Sequence, residues 1–220
     1  MSELVYRERP AEGVAAGLLV LHHGRGADEH DLLGLADVFD PERRLHVVTP
    51  GGPLTLPGWP GRHWYVVPRV GYPDRESFDA AYAGLTAFHD ELWQRTGIEP
   101  ARTVLGGFSM GSVMSYATGL GPERPAVAGI LAFAGFIPTV EGWQPDLPAH
   151  ERTRVFIAHG RNDPIMDVGF AREADQLLTA GGLVVEYHES EASHQIDPGH
   201  VPAALEWLEL TLTLRGGPVS

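Results

Sequence analysis

The chain has 220 residues, 29 acidic and 16 basic, for a formal net charge of −13 with histidine neutral, and 43% of it is hydrophobic. This is an ordinary globular composition, at a length that buries about 70% of the unfolded surface and predicts a single domain. Every basic residue is Arg and there is no Cys, which excludes lysine Schiff bases, Ser-Lys dyads, thiolate nucleophiles, disulfides and zinc-thiolate sites, while the acidic balance argues against a nucleic-acid partner or an anionic membrane surface.

Taken in chain order, Met1 to Pro10 mixes Glu3, Arg7, Glu8 and Arg9 with no apolar run of signal-peptide type, so the expected location is cytoplasmic. Gly17 to His22 is a short apolar strand closed by the turn glycines Gly24 and Gly26, and Asp28 to Asp37 fits a helix. Leu45 to Thr49 forms a second strand, stopped by Pro50-Gly51-Gly52-Pro53. From Pro50 to Glu76 the chain carries six prolines together with Trp59, Trp64, Tyr65 and Tyr72, the pattern of a long functional loop.

Ser77 is the expected N-cap of a long amphipathic helix that runs to about Thr96 and stops at Gly97. Thr103 to Gly106 is a third strand, and the segment after Gly107 turns helical, which puts the strand-to-helix turn at Ser109. Ala126 to Ala134, Arg154 to His159 and Leu183 to His188 are further strands; Phe170 to Ala180 and Val201 to Leu212 are helices. Apolar strands alternating with helices predict an α/β architecture of three layers, a mostly parallel sheet covered on both faces. The longest apolar stretches, Val14 to Leu21 and Ala126 to Pro138, fall short of the roughly 20 residues of a membrane helix. His-Gly-Arg occurs at both residues 23–25 and 159–161, but the flanks diverge and no internal repeat follows.

Gly107-Phe108-Ser109-Met110-Gly111 matches Gly-x-Ser-x-Gly, in which glycines make room for a cramped turn that exposes the serine hydroxyl at a helix N-terminus. The competing reading is a glycine-rich turn with Ser109 as a helix cap. A serine nucleophile needs a histidine base and an orienting carboxylate, and in this architecture the chain order is Ser, acid, His. Asp163, on a loop past the strand that ends at His159, is the expected acid, with Asp167 and Asp197 as alternatives better suited to capping helices. His194, on the loop after the last strand, is the expected base, with His188 and His200 as alternatives.

An oxyanion hole takes one donor from the residue after the nucleophile, Met110, and one from the loop after the early strand, where Arg25 lies between two glycines. His22 and His23 are read as turn structure, with no metal site, since adjacent strand residues point to opposite faces. Trp64, Tyr65 and Trp143 are the expected substrate-binding aromatics, with packing of the loops as the competing role, and Arg25 and Arg62 would bring positive charge to the cleft.

Together, Gly-Phe-Ser-Met-Gly, the upstream Leu-His-His-Gly-Arg-Gly-Ala-Asp-Glu-His-Asp-Leu-Leu, the later His-Gly-Arg-Asn-Asp-Pro and the Ser-His-Gln-Ile loop resemble the phospholipase/carboxylesterase family of α/β hydrolases, in particular its bacterial carboxylesterase branch, related to acyl-protein thioesterases. The resemblance spans about residues 16–212. It implies an α/β-hydrolase fold and a cofactor-free serine hydrolase of esters or thioesters, with Ser109, Asp163 and His194 matching the triad and Arg25 and Met110 the oxyanion donors. Met110 and Ala27 stand where acyl-protein thioesterases usually carry Gln and Asp, which argues against the protein-depalmitoylating branch.

No insertion is long enough for a large cap domain, so the site should be open and suited to short to medium acyl chains. The competing functions are a non-catalytic ligand-binding protein on the same scaffold, or a peptidase or other acyl hydrolase. A dienelactone-hydrolase-like protein would typically carry Cys at the turn. The expected assembly is a monomer or homodimer.

Overall fold

In the structure, a computed structural model describing residues 4–213, seven strands form one sheet in the order β1-β3-β2-β4-β5-β6-β7. They are β1 (Tyr6–Arg9), β2 (Gly17–His22), β3 (Leu45–Pro50), β4 (Thr103–Phe108), β5 (Gly129–Phe133), β6 (Arg154–Gly160) and β7 (Val185–Ser190). All neighbouring pairs are parallel except β1 with β3. The helices are α1 (Ala36–Phe39), α2 (Arg75–Thr96), α3 (Met110–Leu120), α4 (Gly169–Ala180) and α5 (Val201–Thr213).

Two cores explain why the inner strands read as unbroken apolar runs. In β2, Leu18 and Val20 face a core shared with α2, α3 and α4, while Leu19 and Leu21 face the other, shared with α1 and α5. Side chains alternate across the sheet, and because helices cover both faces, both sets must be apolar. This is the three-layer α/β-hydrolase arrangement, with helices on both faces.

Two local expectations are corrected, and one strand is added. Asp28 to Asp37 is not one helix: Asp28 Oδ1 accepts the His30 amide at 2.9 Å, a side-chain-capped turn, and only Leu32–Leu35 (a 3₁₀ turn) and α1 are helical. The long helix starts before Ser77, because Asp74 is its cap; Asp74 Oδ1 accepts both the amide (3.0 Å) and the hydroxyl (2.6 Å) of Ser77. The N-terminal segment supplies β1, whose polar Tyr-Arg-Glu-Arg sequence gives no apolar signal. It is held at the sheet edge by the Arg9–Asp40 ion pair, 2.5 Å and largely buried, and by Tyr6 packing on Phe88.

The order of the parallel strands sets the site. The turns after β2, β4, β5, β6 and β7 all lie at the carboxyl edge of the sheet, where α/β proteins gather their functional loops.

Candidate active site

At the end of β4 the chain makes a turn that few residues tolerate. Ser109 has φ 55° and ψ −118°, a strained conformation for a side chain with a Cβ. The flanking glycines make it sterically feasible. A Cβ on Gly111 would lie 1.9 Å from the His22 carbonyl oxygen, and one on Gly107 would lie 2.5 Å from the Gly111 carbonyl carbon. The turn is pinned from below by the Ser109 amide donating to Phe133 O (2.9 Å) and by Ser112, whose Oγ accepts the Phe133 amide at 3.0 Å and lies 2.6 Å from Gly107 O. Sequence reasoning passed over Ser112; its place one helical turn after Ser109 was the available signal.

Ser109, Asp163 and His194 come from three different loops and meet. His194 Nε2 lies 2.9 Å from Ser109 Oγ, and His194 Nδ1 lies 2.6 Å from Asp163 Oδ2. Asp163 is itself fixed, its Oδ1 accepting the amides of Ile165 and Met166, each at 2.8 Å. With Nδ1–H donated to the carboxylate, the imidazole presents Nε2 as an acceptor to the hydroxyl. Phe108 packs against the His194 ring with centroids 4.9 Å apart.

The alternatives lie elsewhere. Asp167 and Asp197 accept the amides of Gly169 (2.7 Å) and Gly199 (2.9 Å) at helix starts. His188 lies in β7, its ring packed at a tilt against those of Phe156 and His200.

The loop after β2 is clamped by His23. Its Nδ1 donates to Gly24 O (2.7 Å), its Nε2 accepts the Gly52 amide (2.8 Å), and its carbonyl accepts the indole N–H of Trp64 at 2.9 Å. Gly26 and Ala27 spend their amides on Arg62 O and Gly24 O. Arg25 and Met110 both border the cleft. Met110 is the first residue of α3, where helical amides have no partner within the helix; its Sδ accepts the Trp64 amide at 3.3 Å.

The cleft above Ser109 has a volume of about 550 Å³ and is mostly apolar, with Val70, Tyr72, Phe136 and Ile165 among its walls. Of the three aromatics expected there, Tyr65 borders it. Trp64 is fully buried behind the β2 loop, where its N–H finds an acceptor. Trp143 borders a neighbouring hollow instead. The Arg25 guanidinium stacks on exposed Trp59, 4.3 Å from the ring centre. Arg62 is engaged below the cleft by Glu29 (3.5 Å) and Gly52 O (3.2 Å).

Beneath this loop lies a pair that the sequence did not announce. His22 Nδ1 contacts Ser115 Oγ (2.8 Å), and since Ser115 donates to Gly111 O, Nδ1 carries the proton; His89 Nε2–H then donates to His22 Nε2 at 3.2 Å. Burial pushes both rings toward the neutral form, His22 well below its ordinary value and His89 down to about 3, with further lowering from neighbouring positive charge. Among the described residues one cluster could hold a metal ion, Asp28, Glu29 and His30, and none of the three borders the cleft. No described helix is long and apolar enough to cross a membrane.

Comparison with known proteins identifies the family. The family profile described as phospholipase/carboxylesterase matches residues 9–212. Esterase YpfH of Escherichia coli is 27% identical over 201 residues, covering 90% of this chain and 84% of that protein. Acyl-protein thioesterase 1 of Emericella nidulans is 29% identical over 125 residues, 55% of this chain and 52% of the relative. The Bacillus cereus carboxylesterase superposes with a TM-score of 0.83 at 26% identity, covering 94% of each chain. The chain therefore belongs to the phospholipase/carboxylesterase family and is an esterase-type hydrolase of esters or thioesters.

Proposed function

We propose that the chain hydrolyses carboxylic esters of short to medium acyl length through an acyl-enzyme on Ser109. The observation that carries this reading is the position of His194, in hydrogen-bonding range of Ser109 Oγ on one side and of Asp163 on the other. His194 Nε2 takes the hydroxyl proton as Oγ attacks the ester carbonyl carbon; Asp163 holds the ring in the required tautomer and stabilises the imidazolium. The carbonyl oxygen becomes an oxyanion that accepts hydrogen bonds from the Arg25 and Met110 amides, helped by the positive end of α3. Collapse of the tetrahedral species breaks the bond to the alcohol oxygen, which receives the proton from His194. Water then enters, gives a proton to His194, attacks the acyl-Ser109 carbonyl and releases the acid, restoring the hydroxyl.

An apolar cleft of about 550 Å³, with Tyr65, Tyr72, Phe108 and Phe136 among its walls, suits short and medium chains better than long ones. The test is hydrolysis of p-nitrophenyl esters from acetate to palmitate by the native protein and by Ser109→Ala. The native rate should peak between butyrate and octanoate, and the variant should lose about 10⁴-fold or more in kcat. Equal rates in the two proteins would remove Ser109 as nucleophile and favour a ligand-binding role.

A further inference from the structure

On the side of α4 the cleft is closed by a partition with a second hollow behind it. Phe136 borders both the cleft and a hollow of about 270 Å³ whose other walls include Trp143, Pro145, Phe170 and Leu177. Three contacts make up the partition. The rings of Phe136 and Phe170 pack with centroids 5.2 Å apart. Phe170 presses on bare backbone at Gly71, a cleft residue with φ +82°, where an added Cβ would lie 2.8 Å from Phe170 Cζ. Thr139, on the hollow's rim, donates its hydroxyl to Gly71 O.

The direction in which a substrate lies follows from the sheet. Phe108, packed against the His194 ring, lies with the core on the α1 and α5 side, whereas Tyr65, Met110 and Phe136 belong to the core on the α2, α3 and α4 side. His194 returns its proton to the leaving oxygen, so the alcohol lies toward Phe108. The acyl chain then extends the other way, toward Phe136 and Gly71.

Resting on the reading of Ser109 as nucleophile, we propose that the Phe136–Phe170 pair is the specificity-determining end wall of the acyl site, and that the hollow behind it is a latent subsite for the tail of a longer, unbranched acyl chain. The rings stop a chain that has filled the first cavity. Removing one ring joins two largely apolar spaces, and each further methylene that becomes buried is worth about fourfold in kcat/KM.

Phe170 is half-buried, so Phe170→Ala should fold even if Phe136→Ala, at a buried core position, does not. The experiment compares the native protein, Phe170→Ala and the double variant Phe170→Ala/Leu177→Trp, which refills the hollow from its exposed rim. Two ester series are used: p-nitrophenyl esters of increasing acyl length, and acetate esters of increasing alcohol length. The expected result is a rise of at least about tenfold in the decanoate-to-butyrate ratio of kcat/KM in Phe170→Ala, reversed in the double variant, with the alcohol series unchanged. A merely loosened fold would not move the ratio in one series alone, nor let a bulkier residue take the gain back.

An unchanged acyl profile in an active Phe170→Ala overturns the proposal and leaves the nucleophile reading standing. So does a shift seen only in the alcohol series, or a native enzyme that already prefers decanoate and longer. Absence of Ser109-dependent hydrolysis in the native protein instead removes both.

Discussion

The two walls of the cleft are built on opposite plans. Around Ser109 the structure uses glycines, a strained backbone and short side chains packed so tightly that no Cβ can be added at Gly107 or Gly111. Across the cleft, residues 50–73 form a loop with only isolated bridges, Leu54 to His63 and Arg69 to Tyr72, and with Trp59 and Tyr72 more than half exposed. Arg25 and Arg69 lie over those two rings. The difference separates two jobs. Proton transfer needs positions held within a fraction of an ångström, and this is supplied by backbone and buried hydrogen bonds; substrate discrimination needs apolar surface, which side chains on a loop can supply and vary.

That contrast can be broken most sharply at Gly111. Gly111→Ala should cost about 3 kcal/mol or more, because its methyl meets the backbone carbonyl of His22 rather than a side chain that can swing away. For a chain of this size the melting temperature should fall by about 6–12 °C. A variant that melts with the native protein would mean that the elbow is less confined than its geometry indicates.

Of comparable size is the acid sensitivity of the buried histidine pair under the rigid wall. His22 and His89 are held neutral in the folded protein, while in the unfolded chain they take up protons below about pH 6.5. The unfolded state then binds more protons, so stability is complete above about pH 6.5 and falls as the pH drops, by about 1.4 kcal/mol per pH unit for each histidine. For His89 the loss continues until about pH 3. Denaturant titrations between pH 6 and 4.5 should show this slope, and His89→Leu should reduce it by about one proton. An identical slope in the variant would assign the acid sensitivity to other groups.

The smallest effect is expected on the loop side. Trp59→Ala removes an exposed ring and one cation–π contact, for a stability change within about 1 kcal/mol and butyrate hydrolysis within about threefold of native. A tenfold loss of activity would show that the outer rim is coupled to the chemistry, and the division between the two walls would have to be redrawn.

Much of this could be read from one dimension. Glycines two residues to either side of Ser109, an acid after a strand and a histidine after the last strand carry local signatures, since each sits at a turn whose shape is set by its neighbours. The same holds for the inner strands, whose unbroken apolar runs reflect burial on both faces. β1 escaped because its four polar residues form a strand only by pairing with β3, some 40 positions further on. The start of α2 escaped for a different reason: Asp74 and Ser77 are both good caps, and only the hydrogen bonds decide which one acts.

The sequence by itself therefore determined the class of fold, the order of the motifs and the three residues that meet above the sheet. Tertiary structure alone decided that Trp64 supports the β2 loop from behind, that Trp143 faces the second hollow, that His22 and His89 meet across 67 positions, and that Phe136 and Phe170 share one partition. The physical reason is the range of the interactions. A turn, a cap or an amphipathic stripe is written in residues a few places apart, whereas the face that a large side chain presents depends on which distant segment packs against it and on where its polar atom finds a partner.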